Sequence, residues 1–438
     1  MIDEDRLCEG LKKLLTQTES DIRDRLAEEP RLEEALKSRH AAAVEVGRAD
    51  AGAWHAFCDD AITQAAVHWL LAVVFVRFLE DNRLIAEAWI AGPAERLTEA
   101  LDRRSLFYRE NPHANDTDYL TGIFTRVAAL PGMAELFSHE HNPLWSLPPS
   151  GPQAMQILRF FQQRDEETGD LAHDFTDTQL GTRFLGDLYQ NLSKAARERY
   201  ALCQTPGFVV DFILNRTLTL ALDVFGLEGT RLIDPTCGSG HFLLAAFDRL
   251  YQKWKQREQD GNPRVLAQRA LDAVCGVDLN PFAVAIARFR LLVAALATCG
   301  IGRLKDAPDF RFELATGDSL LHGRLLGRER SIQYPMGHDP ACHFFAAEDS
   351  EALERILGRP YQAVVGNPPY INVDDPKLRE TYRRRYGSCR GKYQLSVPFI
   401  ERFFNLGISR TQDAAGFIGL VRQKKSWVES GSGSLPSE

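Results

Sequence analysis

A chain of 438 residues with 44% hydrophobic and 26% charged residues has globular composition and enough length for two or three domains around a large core. The formal net charge of −8 excludes a uniformly basic nucleic-acid binder, so any contact with DNA or RNA must come from a local patch. The 8 cysteines (Cys8, Cys58, Cys203, Cys237, Cys275, Cys299, Cys342 and Cys389) form no CxxC pair and no zinc spacing. They predict free thiols in a reducing compartment, with no disulfide framework and no metal site.

The opening "MIDEDRLCEG" is acidic and has no apolar stretch of the kind a signal peptide needs, so a cytoplasmic protein is expected. Residues 1–180 read as a mostly helical N-terminal domain, with apolar residues at helical spacing and few breakers. Its most apolar run, "WLLAVVFVRFL", is interrupted by Arg77 and is too short to span a bilayer, which predicts a buried helix. "NPLWSLPPSGP" reads as a loop.

From about Gly181 the character changes. Helical sequence surrounds a turn at Thr205, Pro206 and Gly207, where Thr205 is placed to cap the next helix and Pro206 to occupy its first position. Strand-like runs then alternate with helical ones: "RLIDP", "AVCGVDL", "FRFELATGD", "YQAVVGNPP" and "AGFIGLV". This alternation predicts a doubly wound parallel α/β sheet, whose ligands sit at the carboxyl ends of the strands.

The sharp motifs fall at those ends. In "DPTCGSGHF", Gly238 and Gly240 permit a tight turn and close approach to a ligand, although the motif matches neither GxGxxG nor a phosphate-binding P-loop. Asp278 in "VCGVDLNP" suits either the ribose hydroxyls of a nucleoside cofactor or the cap of the following helix. Asp318 in "ATGDSL" suits an exocyclic amine or a plain Gly-Asp turn.

"GNPPY", at residues 366–370, suits chemistry on an aromatic amine. Such an amine is a poor nucleophile because its lone pair is delocalised into the ring. The side-chain oxygen of Asn367 and the carbonyl of Pro368 can accept its N–H groups and favour a pyramidal nitrogen. Pro368 and Pro369 fix that backbone in advance. Tyr370 can stack on the base, a contact worth about 1–3 kcal/mol in nucleic-acid binders. The basic stretch that follows, "KLRETYRRRYGSCRGK", interleaves Tyr382 and Tyr386 with cations and suits either phosphate contact through Arg383, Arg384, Arg385, Arg390 and Lys392 or a plain solvated helix face.

Read together, "TPGFVVDFI", "DPTCGSGHF", "GVDLNP", "GDSL" and "VVGNPPY" resemble the S-adenosylmethionine-dependent adenine-N6 DNA methyltransferases in which cofactor motifs precede the catalytic one. "FVRFLEDNRLI" and "GKYQLSVPFIERFFNLG" are similar to the large single-chain members of bacteriophage-exclusion defence systems. The resemblance implies a Rossmann-like methyltransferase domain over 181–421 and S-adenosyl-L-methionine as cofactor. It implies cofactor contacts from Thr205, Pro206, Phe208, Asp234, Gly238, Gly240, Phe242, Asp278 and Asp318. Asn367, Pro368, Pro369 and Tyr370 would then act on an adenine flipped out of double-stranded DNA. Other defence proteins are expected partners, and neither a membrane nor a metal is. The family's sheet has two further strands, whereas residues 422–438 form an atypical tail, so an incomplete sheet is expected. A methyltransferase acting on RNA or on a protein amide, and a non-catalytic fragment, stay open as alternatives.

Overall fold

The computed structural model describes residues 2–45, 52–137, 139, 142–192, 205–325, 350–373, 376–408 and 415–422. Most of the atypical tail lies outside them. The N-terminal region is helical, as expected. Helix α1 (Glu4–Glu28) is capped by the Asp3 side chain and buries Leu7, Leu11, Leu14, Thr18 and Ile22 along one face. It is followed by α2 (Pro30–Glu45) and α3 (Trp54–Asp81). Helix α3 is buried all round from Gln64 to Asp81, which is why its sequence lacks a polar face. Helices α4 (Leu97–Glu110), α5 (Asp116–Ala128), α6 (Gly151–Gln162) and α7 (Arg183–Leu192) complete the region. The segment read as a loop already starts α6 at Gly151, because the Ser150 hydroxyl accepts from the Gln153 amide and Pro152 fits the first turn. Among the described residues two helices are long and apolar enough to cross a membrane, α3 and Pro281–Thr298, and both are largely buried inside the protein.

The end of α3 organises the loops around it. Arg77 is fully buried and donates to Asp81 Oδ2 (2.8 Å), to the Gly92 carbonyl (2.8 Å) and to the His173 carbonyl (3.2 Å). Glu80, also fully buried, accepts from the backbone amides of Trp89, Ile90, Ala91 and Gly92 at 2.7–3.1 Å. Asp81 accepts from the Phe175 amide, and burial pushes its pKa up to about 7 against the pull of Arg77.

Downstream, α8 (Gly207–Arg216) and α9 (Leu218–Gly229) precede β1 (Leu232–Asp234). Then come α10 (His241–Arg257), α11 (Pro263–Asp272), β2 (Val274–Asp278), α12 (Pro281–Thr298) and β3 (Glu313–Thr316). Helix α13 (Ser350–Leu357), β4 (Ala363–Gly366), α14 (Pro376–Arg385), α15 (Ser396–Leu406) and β5 (Phe417–Leu420) follow. All five expected strands form one parallel sheet in the order β3-β2-β1-β4-β5. Among the described residues β5 is an edge strand. The strand order reverses between β1 and β4, which opens a crevice at their carboxyl ends.

The helical region and the sheet domain share one hydrophobic core. Phe75 stacks on Phe289 of α12 (4.4 Å between centroids), Phe78 meets the same ring edge-on (5.7 Å), and His68 packs on Phe282 (4.6 Å). A second cluster fills the other face of the sheet and includes Ile233, Val277, Tyr361, Tyr382 and Phe403.

Arg77→Met leaves Glu80 and Asp81 buried without their cation. Removing one partner of a buried pair costs about 3–5 kcal/mol, so the variant should lose that much in chemical denaturation.

Candidate active site

Each of the strands β1, β2 and β3 ends at, or two residues before, an aspartate that turns back on the amide two residues ahead. Asp234 Oδ1 accepts from Thr236 N (2.9 Å), Asp278 Oδ1 from Asn280 N (2.8 Å) and Asp318 Oδ1 from Leu320 N (2.8 Å). These are Asx turns, which short carboxylates form readily and which end a strand without a long loop. Asp278 does not cap α12. That role falls to Asn280, whose oxygen accepts from Phe282 N, with Pro281 at the helix start.

The glycine loop after β1 is tied to its neighbours. Gly238 N donates to Asp278 Oδ2 (2.8 Å), Cys237 N to the Val277 carbonyl (3.0 Å) and Ser319 Oγ to the Pro235 carbonyl (2.7 Å). Gly238 (φ +53°) and Gly240 (φ +85°) both lie in the left-handed region. A Cβ at Gly240 would sit 3.0 Å from that of Ala287, whereas one at Gly238 would meet nothing within 4 Å. The loop is therefore tight against α12 and open on its outer side. Arg290 of α12, 5% exposed, closes it from behind by donating to the Ser239 carbonyl at 2.6 Å.

Burial dominates the electrostatics. It pushes Asp234 up to about 8 against the two hydrogen bonds from Thr236, and it raises Asp278 against the amides of Asn280 and Gly238.

The corner after β4 stands against this loop. A Cβ on Gly366 would lie 2.6 Å from Asp234 Oδ1, 2.8 Å from Thr236 Oγ1 and 2.9 Å from the Phe403 ring. Only glycine lets β4 end so close to β1. Asn367 Nδ2 donates to Thr205 Oγ1 at 3.3 Å. The Tyr370 hydroxyl donates to the Val421 carbonyl, and Val421 N donates to the Gly366 carbonyl (3.0 Å). Pro368 is buried, while Pro369 and Tyr370 are half-buried.

The start of α8 differs by one residue from expectation. Pro206 holds the capping position with no side-chain cap, α8 begins at Gly207, and the Thr205 hydroxyl faces Asn367 instead. Phe208 stands outside, 77% exposed. Phe242 is 2% exposed within the core.

The basic stretch is divided between two faces of α14. Leu378, Tyr382 and Tyr386 form a buried stripe at four-residue spacing, so the two tyrosines do not join the cations outside. Tyr382 donates to Asp318 Oδ2 (2.5 Å) and Tyr386 to the Leu320 carbonyl (2.7 Å). Arg385 donates to the Gly323 carbonyl at 3.2 Å and Arg383 to the Gly391 carbonyl at 2.7 Å. Arg384, Arg390 and Lys392 face solvent. Arg402, fully buried on α15, donates to the carbonyls of His322 and Arg324. Sequence reasoning assigned no role to Arg290 or Arg402, since only the fold brings them to the loops. The apolar spacing of Leu378, Tyr382 and Tyr386 was the available signal for an inward face.

The Eco57I restriction-modification methylase family matches residues 272–435. The chain is 42% identical over 442 aligned residues to the "Adenine-specific methyltransferase PglX" of Streptomyces coelicolor, covering 97% of this chain and 36% of that relative. It is 26% identical over 204 residues to the type II methyltransferase M.BstVI of Geobacillus stearothermophilus, covering 46% of this chain and 30% of that one. The chain thus spans about a third of the length of these curated relatives (36% and 30%). Among solved structures, the DrdV–DNA complex has a TM-score of 0.51 at 17% identity and covers 91% of this chain and 34% of that one, a likeness of fold. The motifs and the comparisons point the same way: over 97% of its own length the chain is similar to an adenine-specific methyltransferase.

Proposed function

We propose that the chain is the catalytic part of an adenine-N6 DNA methyltransferase that uses S-adenosyl-L-methionine and serves host modification in phage defence. The observation that carries this reading is the Asn367–Tyr370 corner, held at the switch point against the glycine loop by Gly366 and Thr205.

The residues present fit the cofactor. Space is open outside Gly238. Each oxygen of Asp278 accepts one amide. A carboxylate offers about four acceptor sites, so this leaves capacity for two ribose hydroxyls. Thr205, Pro206 and Phe208 would border the cofactor from the start of α8. Asp234, Gly238 and Gly240 would line its methionine side, with Phe242 fixing the start of α10 from within the core. Asp318 would lie by its adenine. When bound, S-adenosylmethionine supplies an electrophilic methyl group.

The chain's own residues act on the target amine. Thr205 engages the nitrogen of the Asn367 carboxamide, and the carboxamide oxygen is the acceptor for an N–H of the base. The Pro368 carbonyl accepts the second. Neither needs to reorganise as the amine becomes pyramidal, because the two prolines and the Gly366 contact hold the backbone. The tether from Tyr370 to Val421 orients the ring as a platform for the base. An adenine inside a duplex cannot reach this corner, so the base is flipped out. Arg384, Arg390 and Lys392 meet DNA phosphates, and Arg383 adds to them beyond its bond to Gly391. Arg385 serves the Gly323 loop instead. Double-stranded DNA and further defence proteins are the partners in this reading. The free thiols of the described cysteines support a reducing, cytoplasmic setting.

Asn367→Ala should lower methyl transfer to DNA by on the order of 10²–10³-fold or more while cofactor binding, read by calorimetry, stays. Normal turnover in a labelled-methyl assay would sink the mechanism. Replacing Arg384, Arg390 and Lys392 by Ala should weaken DNA binding for all sequences alike. It should also flatten the slope of log affinity against log salt by about one for each phosphate contact removed. An unchanged slope would move the DNA to another face.

A further inference from the structure

The loop from Asp318 to Arg324 is gripped by the helices that follow it in sequence. Tyr386 donates to the Leu320 carbonyl (2.7 Å), Arg402 to the His322 carbonyl (2.6 Å) and Arg385 to the Gly323 carbonyl (3.2 Å). Glu354 of α13 accepts from Gly323 N at 3.1 Å. These contacts hold backbone atoms. Tyr382 differs from them, because its hydroxyl donates to a side chain, Asp318 Oδ2, at 2.5 Å. Burial and the facing carboxylate hold the Tyr382 pKa well above the ordinary value, which keeps that proton on the phenol. The other oxygen of Asp318 accepts from Leu320 N at 2.8 Å, so one donor pins each end of the carboxylate. Asp318 is 6% exposed and Tyr382 2% exposed.

We propose that Tyr382 is a positioning residue for the cofactor, fixing the Asp318 carboxylate in the orientation from which it accepts the exocyclic amine of the cofactor's adenine. The proposal rests on the reading that Asp318 lies by that adenine. A carboxylate free to rotate would meet the amine in only part of its orientations. One clamped at both oxygens keeps its remaining lone pairs in fixed directions. The hydroxyl thereby acts on recognition of one atom group of the ligand, and the aromatic ring does the packing.

The test uses the full chain and two ligands, S-adenosylhomocysteine and its purine counterpart lacking the 6-amino group, each titrated by calorimetry. Wild type should prefer the amine-bearing ligand by about tenfold, the scale of a hydrogen bond to a charged acceptor. In Tyr382→Phe that preference should collapse several-fold toward equality, with affinity for the counterpart unchanged. Tyr386→Phe is the control: it removes a buried hydroxyl that grips the backbone of the same loop, and it should leave the preference intact. Near-UV circular dichroism checks that each variant is folded. A Tyr382→Phe chain that keeps the full preference overturns the proposal. Equal weakening of both ligands also overturns it, since that is what a packing role alone produces. A wild-type chain that does not distinguish the ligands instead overturns the reading of Asp318 on which the proposal stands.

Discussion

Carboxylates taken out of water must be met by donors, or they cost several kcal/mol each. At the carboxyl edge of this sheet the donors are mainly backbone amides. Thr236, Asn280 and Leu320 each donate to the aspartate two residues before them, and Gly238 reaches across to Asp278 from the neighbouring loop. An amide can serve this way only if its whole loop takes one shape. Burial of Asp234 and Asp318, with Asp278 half-buried beside them, therefore dictates the loops after three strands, and those loops form the crevice. The site is shaped before any ligand arrives, because its acidic residues require the turns that build it.

The helical region takes part in the same construction. Helix α12 presents Phe282 and Phe289 to α3 on one side and carries Arg290 to the Ser239 carbonyl on another. Arg288, also on α12, donates to the Leu314 carbonyl of β3. The residues before 180 thus back the helix on which the glycine loop rests. Their packing reaches the crevice through one intervening element, so changes in α3 bear on the position of Gly238 and Gly240.

Much of this was legible in the sequence. The strands were readable because short apolar runs end in Asp or Gly, and the glycine loop and the Asn367 corner because their residue types have few other uses. One reading put the cap of α12 at Asp278, whereas the Asn–Pro pair at Asn280 sets that helix start, as another such pair does at Asn262. What stayed hidden is long-range pairing. Nothing local says that Thr205 faces Asn367 or that Tyr382 faces Asp318, since those partners lie 162 and 64 residues apart. The charge run from Lys377 to Lys392 read as a single surface because charge dominates its composition. The weaker apolar period of Leu378, Tyr382 and Tyr386 was the better guide to where α14 turns.

The carboxylate of Glu80 gathers the amides of Trp89, Ile90, Ala91 and Gly92, which belong to no helix or strand. Segments of irregular backbone usually trade their amide protons with solvent quickly. These four are sealed by one buried anion, so none is released unless Glu80 itself leaves the core. Their protons would exchange together and slowly, at a rate set by the opening of α3. An irregular loop would then report on the stability of a helix buried all round from Gln64 to Asp81.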